Sequence, residues 1–280
     1  MSLKFGDENR KVVYKYRSLA DKVSFDRVED IITRGMIYFA QPSSFAQNDP
    51  LDTAPSIEFR KDTTIKDVQE TLLRIEPAAV NTPIPKGNVQ IESVIEHLEK
   101  LYGETGPQEI SDRFFKISCF STEYDNKRMW EEYGDNHHGI CIGFKVVIYG
   151  NSLCIPSNLF GTYNKEHNGY LPLIHVEYCN QALEPWHYFK DHTNLTKLQK
   201  FLTTKRTEYA YESEYRSLIS AADPSQVELA SLEIIAEVIF GKDVAYSDFI
   251  KVMASLGNPK VMLYKMRQTN CGRLERVIIS

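Results

Sequence analysis

The sequence has few cysteines and no regular metal-binding motif. Its 280 residues include five cysteines, at positions 119, 141, 154, 179 and 271. An odd count without a Cys-x-x-Cys pair argues against a disulfide framework and against a zinc ribbon. The only adjacent histidines, His137 and His138, would point apart on a helix or a strand. We therefore expect no metal site.

Long apolar runs and concentrations of basic residues are also missing. No stretch approaches the length of apolar sequence that spans a bilayer, so we expect no membrane partner. The net charge is −5 and no Lys/Arg block stands out, which argues against a duplex-DNA footprint. The polar segment 1–10 lacks the apolar core of a signal peptide, which favours a cytoplasmic location.

What the sequence does contain is a mixed succession of strand-like and helix-like patterns. The hydrophobic fraction of 42% is sufficient for one substantial core. A helix is expected to begin at Asp26, where Glu29 completes a capping box, and to end at Gly35. Another is expected from Ser247 to Gly257. Further helices are expected at 63–75, 89–102, 126–133 and 195–202.

Alternating or continuous apolar residues predict the strands. They are expected at 12–16, 36–40, 114–120, 139–147, 173–178, 214–220, 235–240, 261–266 and 274–279, with 150–170 irregular. Because strands and helices do not alternate regularly, the expected fold class is α+β, with a mixed, largely antiparallel sheet and flanking helices. We expect a single domain over 1–280, in which 60–110 forms a helical insertion.

Four segments, in this order along the chain, resemble the signature of a bacterial family known as domain of unknown function 2971. They are Tyr14-Lys15-Tyr16-Arg17-Ser18-Leu19; Pro42-Ser43-Ser44-Phe45 running to Asn48-Asp49-Pro50; Ser118-Cys119-Phe120-Ser121 with Met129-Trp130-Glu131-Glu132-Tyr133 and His137-His138-Gly139-Ile140-Cys141; and Lys205 with Tyr211-Glu212-Ser213-Glu214-Tyr215-Arg216. The extra Ala46-Gln47 before Asn48 departs from the family pattern. The resemblance loosely implies a place among bacterial defence or toxin proteins, including those directed against phage.

Within this signature, an Arg, a Ser and a Glu-x-Glu follow one another in a way that is similar to ADP-ribosyltransferases. The residues are Arg17 at the end of a first strand, Ser121 at the end of a middle strand, and Glu212 and Glu214 at the start of a late strand. The similarity implies an ADP-ribosyltransferase-like fold and NAD as a substrate. The nicotinamide–ribose bond would be cleaved and ADP-ribose transferred to an unknown acceptor, protein or nucleic acid.

The chemistry of that reaction assigns an expected role to each residue. Glu214 would stabilise the positive charge that develops on the ribose, and Ser121 would hydrogen-bond Glu214 and orient it. Arg17 would bind the pyrophosphate with its planar fork. Glu212, two residues from Glu214 in a strand, would face the same side and act on the acceptor. An aromatic side chain would stack on nicotinamide; the candidates are Tyr16, Trp130 and Tyr133.

Other interpretations remain open at this point. Arg17 is also typical of a strand-end residue paired with a surface carboxylate, and Ser121 of a helix cap. Trp130 and Tyr133 lie three apart on a helix, which favours a core position. One alternative function is a non-catalytic nucleotide-binding or regulatory module. A second is a metal-dependent nuclease, with Glu212 and Glu214 joined by Lys205 and Asp49 around Mg²⁺.

Overall fold

A computed structural model describes residues 12–47, 49–75, 88–160, 168–191 and 194–279 of the chain. These residues cluster in two compact units. The first unit comprises 1–40, 116–178 and 206–280, and the second comprises 41–115 and 179–205. The segment 60–110, expected as a helical insertion, belongs to the second unit. The expectation of a single domain over 1–280 stays a prediction.

The strands of the described residues are short and numerous. In chain order they are β1 (Val12–Arg17), β2 (Met36–Tyr38), β3 (Ile57–Glu58), β4 (Phe115–Ser121), β5 (Ile140–Lys145), β6 (Val147–Tyr149), β7 (Ser152–Pro156), β8 (Tyr170–His175), β9 (Glu177–Tyr178), β10 (Trp186–His187), β11 (Thr204–Lys205), β12 (Glu214–Ser220), β13 (Gln226–Glu228), β14 (Ile235–Phe240), β15 (Met262–Gln268) and β16 (Leu274–Ile278). The segment 150–170, expected to be irregular, therefore contains β7 and the beginning of β8.

The α-helices lie between these strands. They are α1 (Lys22–Arg34), α2 (Ile65–Ile75), α3 (Asn88–Thr105), α4 (Gln108–Asp112), α5 (Lys127–Glu132), α6 (Leu195–Leu202) and α7 (Tyr246–Ala254). The loop expected at 77–87 lies outside the described residues, and so does Asn48. No described helix combines the length and the apolar character that crossing a membrane requires.

A ten-stranded sheet organises the first unit, in the order β16-β15-β14-β5-β1-β4-β12-β8-β7-β6. Pairs such as β1–β5, β14–β5 and β12–β8 are antiparallel, whereas β14 and β15 are parallel. The α+β class with a mixed, mostly antiparallel sheet is thus confirmed. The apolar strand β5 is central, as its nearly continuous hydrophobic sequence indicates.

Strand β1 shows how the sequence builds the two faces of this sheet. Side chains alternate along a strand, so odd-numbered and even-numbered residues face opposite sides. Val13 belongs to the apolar core that α1 covers with Val28, whereas Tyr14 and Tyr16 belong to a second cluster on the other face. Lys15 and Arg17 have the parity of Val13, which places them on the α1 side.

Helix α1 begins earlier than the sequence indicates. Its N-cap is Asp21, whose carboxylate accepts a hydrogen bond from the backbone N–H of Ser24, so the prediction of a start at Asp26 is wrong. The predicted end is confirmed, because Gly35 has φ = 70° and its N–H bonds the last carbonyls of the helix. Helix α7 likewise starts at Tyr246 and not at a Ser247 cap.

The second unit has its own apolar interior, built from aromatic rings. Phe59 lies 6.1 Å from Tyr102 and 5.3 Å from Tyr188, measured between ring centroids, and Trp186 meets Tyr188 edge-on at 6.0 Å. The parallel pair β3–β10 joins the chain segments that carry these rings. Such stacked, tilted and edge-to-face pairs stabilise a small core beyond the area that they bury.

Candidate functional site

Three neighbouring strands carry the Arg, the Ser and the Glu that the sequence singles out. Strands β1, β4 and β12 are adjacent in the sheet. Ser121 lies opposite Tyr14 of β1, and the backbone N–H of Thr122 donates to the carbonyl of Ser213, just before β12. Residues about 200 positions apart in the sequence are therefore brought to the same part of one sheet.

Glu214, however, is a buried carboxylate held in an ion pair. Only 5% of the residue is exposed. Its two carboxylate oxygens accept hydrogen bonds from Nε and Nη2 of Arg216, at 2.8 and 3.1 Å. Arg216 has no exposed surface at all. Arg216 can pair with Glu214 because the two residues lie two apart in β12 and therefore share a face of the strand.

Glu212 does not share a strand with Glu214. It ends a 3-10 helix, Thr207–Glu212, and the next residue, Ser213, has left-handed backbone angles of φ 45° and ψ 49°. The expectation that Glu212 and Glu214 lie in one strand is therefore wrong, and the alternation rule for strands does not apply to this pair. Glu212 is 3% exposed, and it accepts a hydrogen bond from the hydroxyl of Tyr133 at 2.8 Å.

Ser121 serves the backbone of this region. Its hydroxyl donates to the carbonyl oxygen of Glu212 at 2.7 Å and accepts from the backbone N–H of Glu123 at 3.1 Å. The expected hydrogen bond from Ser121 to the carboxylate of Glu214 is replaced by these contacts. Ser121 thus fixes where the 3-10 helix ends, and through it the position of Ser213.

Two of the aromatic candidates are core residues. Trp130 has no exposed surface, and its indole N–H donates to the carbonyl of Tyr124 at 2.7 Å. Tyr16 is 6% exposed, meets Trp130 edge-on at 5.1 Å, and donates its hydroxyl to the carbonyl of Glu123. Neither ring offers a free face on which nicotinamide could stack. Tyr133 is half-buried and its hydroxyl is bound to Glu212.

Arg17 lies on the other face of the sheet from Tyr16. Its guanidinium Nε is buried and makes no hydrogen bond to any described residue. Burial, followed by the charge of Arg27 on α1, lowers the pKa of the Arg17 guanidinium to about 10. A guanidinium placed in this way is held at a cost, since burying a charge without a partner is unfavourable.

Two further cations, Lys15 of β1 and Arg27 of α1, lie on the same side of the sheet as Arg17. Lys15 is 6% exposed; its ammonium donates to the hydroxyl of Ser118 at 2.9 Å and to the carbonyl of Cys119 at 2.8 Å. Burial and the charge of Arg17 hold the pKa of Lys15 well below its usual value. We refer to Lys15, Arg17 and Arg27 as the cationic cluster.

The cationic cluster contains more positive charge than its surroundings neutralise. Among the described residues, no carboxylate lies within ion-pair distance of any of its three members. Sequence reasoning singled out Arg17 alone. The signal for the second member was available, because Lys15 and Arg17 are two apart in an otherwise buried strand and must share a face. Nothing local in the sequence indicates that Arg27 approaches them.

The residues proposed for a metal-dependent nuclease are divided between the two units. Lys205 and Asp49 belong to the second unit, where the ammonium of Lys205 lies 3.5 Å from the carboxylate of Asp52. Glu212 and Glu214 belong to the first unit. Within the described parts of the chain, no group of three or more His, Cys, Asp or Glu side chains is arranged to hold a metal ion.

Comparison with known proteins gives one match. No curated protein and no solved structure matches the chain. A family model with the description "Protein of unknown function (DUF2971)" matches residues 129–217, which run from α5 into β12 and include Tyr133, Glu212 and Glu214. The match supports the resemblance to the domain of unknown function 2971 family.

Proposed function

We propose that the protein is a nucleotide-binding module that holds the phosphates of NAD, or of a related nucleotide, at the cationic cluster. The observation that carries the proposal is Arg17, whose buried Nε has no acceptor among the described residues. Buried donors in folded proteins are nearly always satisfied, so one that is not requires an explanation. An anionic ligand supplies it.

The chemistry of the cluster fits phosphate oxygens. A guanidinium presents a planar fork of donors that matches phosphate geometry, and an ammonium adds a compact point charge. Burial, and then the charge of Arg17, lowers the pKa of Lys15 and so its tendency to stay charged. A bound diphosphate would reverse that effect, because an adjacent negative charge favours the protonated forms.

Nucleotide binding without catalysis accounts for the contacts of Glu212 and Glu214 better than ADP-ribosyl transfer does. Cleavage of the nicotinamide–ribose bond requires a carboxylate that reaches the ribose. Glu214 is bound through both oxygens by Arg216, and Glu212 is bound by Tyr133. By the alternation of side chains in β1, Arg17 lies on the face of the sheet that α1 covers, whereas Tyr14 and Tyr16 lie on the opposite face. The contacts of these glutamates are those of structural residues.

ADP-ribosyl transfer to a protein or nucleic-acid acceptor is the second candidate. The adjacency of β1, β4 and β12 favours it, since this is the order in which an ADP-ribosyltransferase-like site would assemble its Arg, Ser and Glu. It requires that Glu214 exchange Arg216 for the ribose of NAD.

Calorimetric titration with NAD, followed by an assay for free nicotinamide, separates the two candidates. We expect wild-type protein to bind NAD without releasing nicotinamide. Arg17→Gln should weaken binding by about tenfold to a hundredfold, the usual effect of deleting a charged hydrogen-bond partner. The matched control is Arg267→Gln, which removes an exposed arginine of the same unit and should bind NAD as wild type does.

Each other outcome has a definite meaning. Nicotinamide release by the wild-type protein would replace the binding module with the transferase. Absence of NAD binding at millimolar concentration, or unchanged affinity in Arg17→Gln, would contradict the assignment of the cationic cluster.

A further inference from the structure

A groove of about 580 Å³ in the first unit is lined in part by Arg27, a member of the cationic cluster. One wall is the outer face of α1, which contributes Asp26, Arg27 and Asp30 at helical spacing. The other wall is the two-stranded ribbon of β2 and β13, in which Tyr38 pairs with Gln226. Arg27 belongs both to this groove and to the cationic cluster, and it therefore connects the two.

The groove contains a flat platform. The guanidinium carbon of Arg27 lies 3.5 Å from the centre of the Tyr38 ring, the distance of a stacked pair. Both side chains are half-buried and line the groove. Aromatic rings and guanidinium planes are the surfaces on which proteins stack nucleobases.

The two acidic side chains of the groove, Asp26 and Asp30, differ in their hydrogen-bond partners. Both oxygens of Asp30 have a partner, since one accepts from Arg34 and the other from the amide of Gln226, both at 2.9 Å. Asp26 is exposed on the same face of α1 and has no hydrogen-bond partner among the described residues. A carboxylate only accepts hydrogen bonds, so Asp26 selects a ligand that presents a donor.

We propose that this groove binds an amino-bearing nucleobase, with adenine as the test case, stacked on the Arg27–Tyr38 platform and donating its exocyclic amine to Asp26. The inference rests on the proposed function, because Arg27 then joins a base in the groove to phosphates at Arg17 and Lys15. A neutral base is compatible with Asp26 and Asp30, whereas the phosphates would be repelled by these carboxylates and attracted by the cluster.

ADP and inorganic pyrophosphate are the probes that separate the base from the phosphates. We expect Tyr38→Leu to weaken ADP binding by about tenfold, the usual contribution of stacking one base, and to leave pyrophosphate binding unchanged. Tyr38→Phe keeps the ring and should bind ADP as wild type does. Tyr246→Leu removes an exposed tyrosine of the same unit, 79% of whose surface is accessible, and serves as the control.

Inosine diphosphate tests the hydrogen bond, because it replaces the amine of ADP with an oxygen. Wild-type protein should prefer ADP, and Asp26→Asn should lose most of that preference, since an amide both donates and accepts. Arg17→Gln should weaken ADP and pyrophosphate by the same factor.

The outcomes distinguish the base groove from the phosphate site. Unchanged ADP affinity in Tyr38→Leu, while Arg17→Gln weakens ADP, overturns the base groove only. Weakening by Tyr38→Leu with no effect of Arg17→Gln overturns the phosphate assignment only. Failure of wild-type protein to bind ADP and pyrophosphate overturns both.

Discussion

Arg216 and Glu214 form a closed, two-point ion pair within one strand of the central sheet. The nitrogens Nε and Nη2 of Arg216 lie 2.8 and 3.1 Å from the two oxygens of Glu214. The thiol of Cys119 also hydrogen-bonds this carboxylate, and burial together with the charge of Glu214 raises the pKa of that thiol. Each charge is therefore compensated by the other in an environment that excludes water, which makes the pair sensitive to loss of either member.

The first prediction concerns Glu214→Gln. The substitution removes the charged partner that binds Arg216 at two points in a buried position, so we expect the free energy of unfolding to fall by about 3–5 kcal/mol. Urea unfolding monitored by circular dichroism measures the change. The control is Glu233→Gln, whose carboxylate is 66% exposed and pairs with Lys260; it should change stability by less than about 0.5 kcal/mol. A stable Glu214→Gln protein would show that the pair is dispensable for the fold.

The second prediction is that Arg17→Gln does not destabilise the protein. Arg17 has no acidic partner among the described residues and is close enough to Arg27 for their charges to interact. Removing one charge relieves this repulsion, so unfolding should require the same urea concentration as in wild type, or a higher one. Arg216→Gln, the matched change at the paired arginine, should lose about 3–5 kcal/mol. A comparable loss of unfolding free energy in Arg17→Gln and Arg216→Gln would contradict the prediction and show that Arg17 stabilises the fold.

Much of the fold follows from local pattern. Strands β12 (Glu214–Ser220) and β14 (Ile235–Phe240) and helix α6 (Leu195–Leu202) have the bounds that periodicity and capping indicate. Errors arise where the chain leaves a strand within an apolar run. The apolar run expected as one strand at 139–147 is interrupted at Val146, between β5 and β6, and the chain turns at Gly150, where φ is 58°, before β7. Hydrophobicity alone does not reveal such an interruption.

The candidate site was harder to predict, because its geometry depends on backbone angles and on partners distant in sequence. A strand pattern correctly places Arg17 at the end of β1 and Glu214 at the start of β12. The left-handed Ser213 separates the two glutamates, and serine does not signal that conformation as glycine would. Arg27 approaches Arg17 only through the packing of α1 on the sheet, a tertiary relationship that no spacing rule contains.

The third prediction concerns the hydrogen bond from Tyr133 to Glu212. The hydroxyl of Tyr133 donates to Oε1 of Glu212 at 2.8 Å, and Glu212 is 3% exposed. Tyr133→Phe deletes a donor to a buried charge, so we expect a loss of about 1.5–3 kcal/mol in the free energy of unfolding. Tyr246→Phe removes an exposed hydroxyl and should leave stability unchanged in the same urea titration. Equal free energies of unfolding in the two variants would show that water can replace the Tyr133 hydroxyl as a donor to Glu212 at no cost.

His137 occupies a strained and water-poor position between α5 and β5. It is the third of three consecutive residues with positive φ, after Asp135 and Asn136, at 52°, 47° and 70°. The residue is 5% exposed, and its ring stacks on that of Trp130 with centroids 6.2 Å apart. Its Nδ1 is buried without a hydrogen-bond partner among the described residues. Positive φ costs free energy for a residue that is not glycine, so the turn is maintained by these surroundings.

The fourth prediction is that His137 makes the protein less stable in acid. Burial, and then the charge of Lys242, lowers the pKa of His137 below its usual 6.5. The other charged groups around the ring are Asp243, Glu131 and Lys127. The unfolded chain therefore binds a proton at a higher pH than the folded protein does, and stability falls as pH drops below about 6.5. For one proton the slope of the free energy of unfolding cannot exceed about 1.4 kcal/mol per pH unit.

Urea unfolding between pH 8 and 5 measures this effect. In His137→Asn, where asparagine tolerates a positive φ, the free energy of unfolding should decline less than in wild type. The exposed neighbour provides the comparison: His138→Asn should decline as steeply as wild type, and an equally steep decline in His137→Asn would assign the acid sensitivity to other groups.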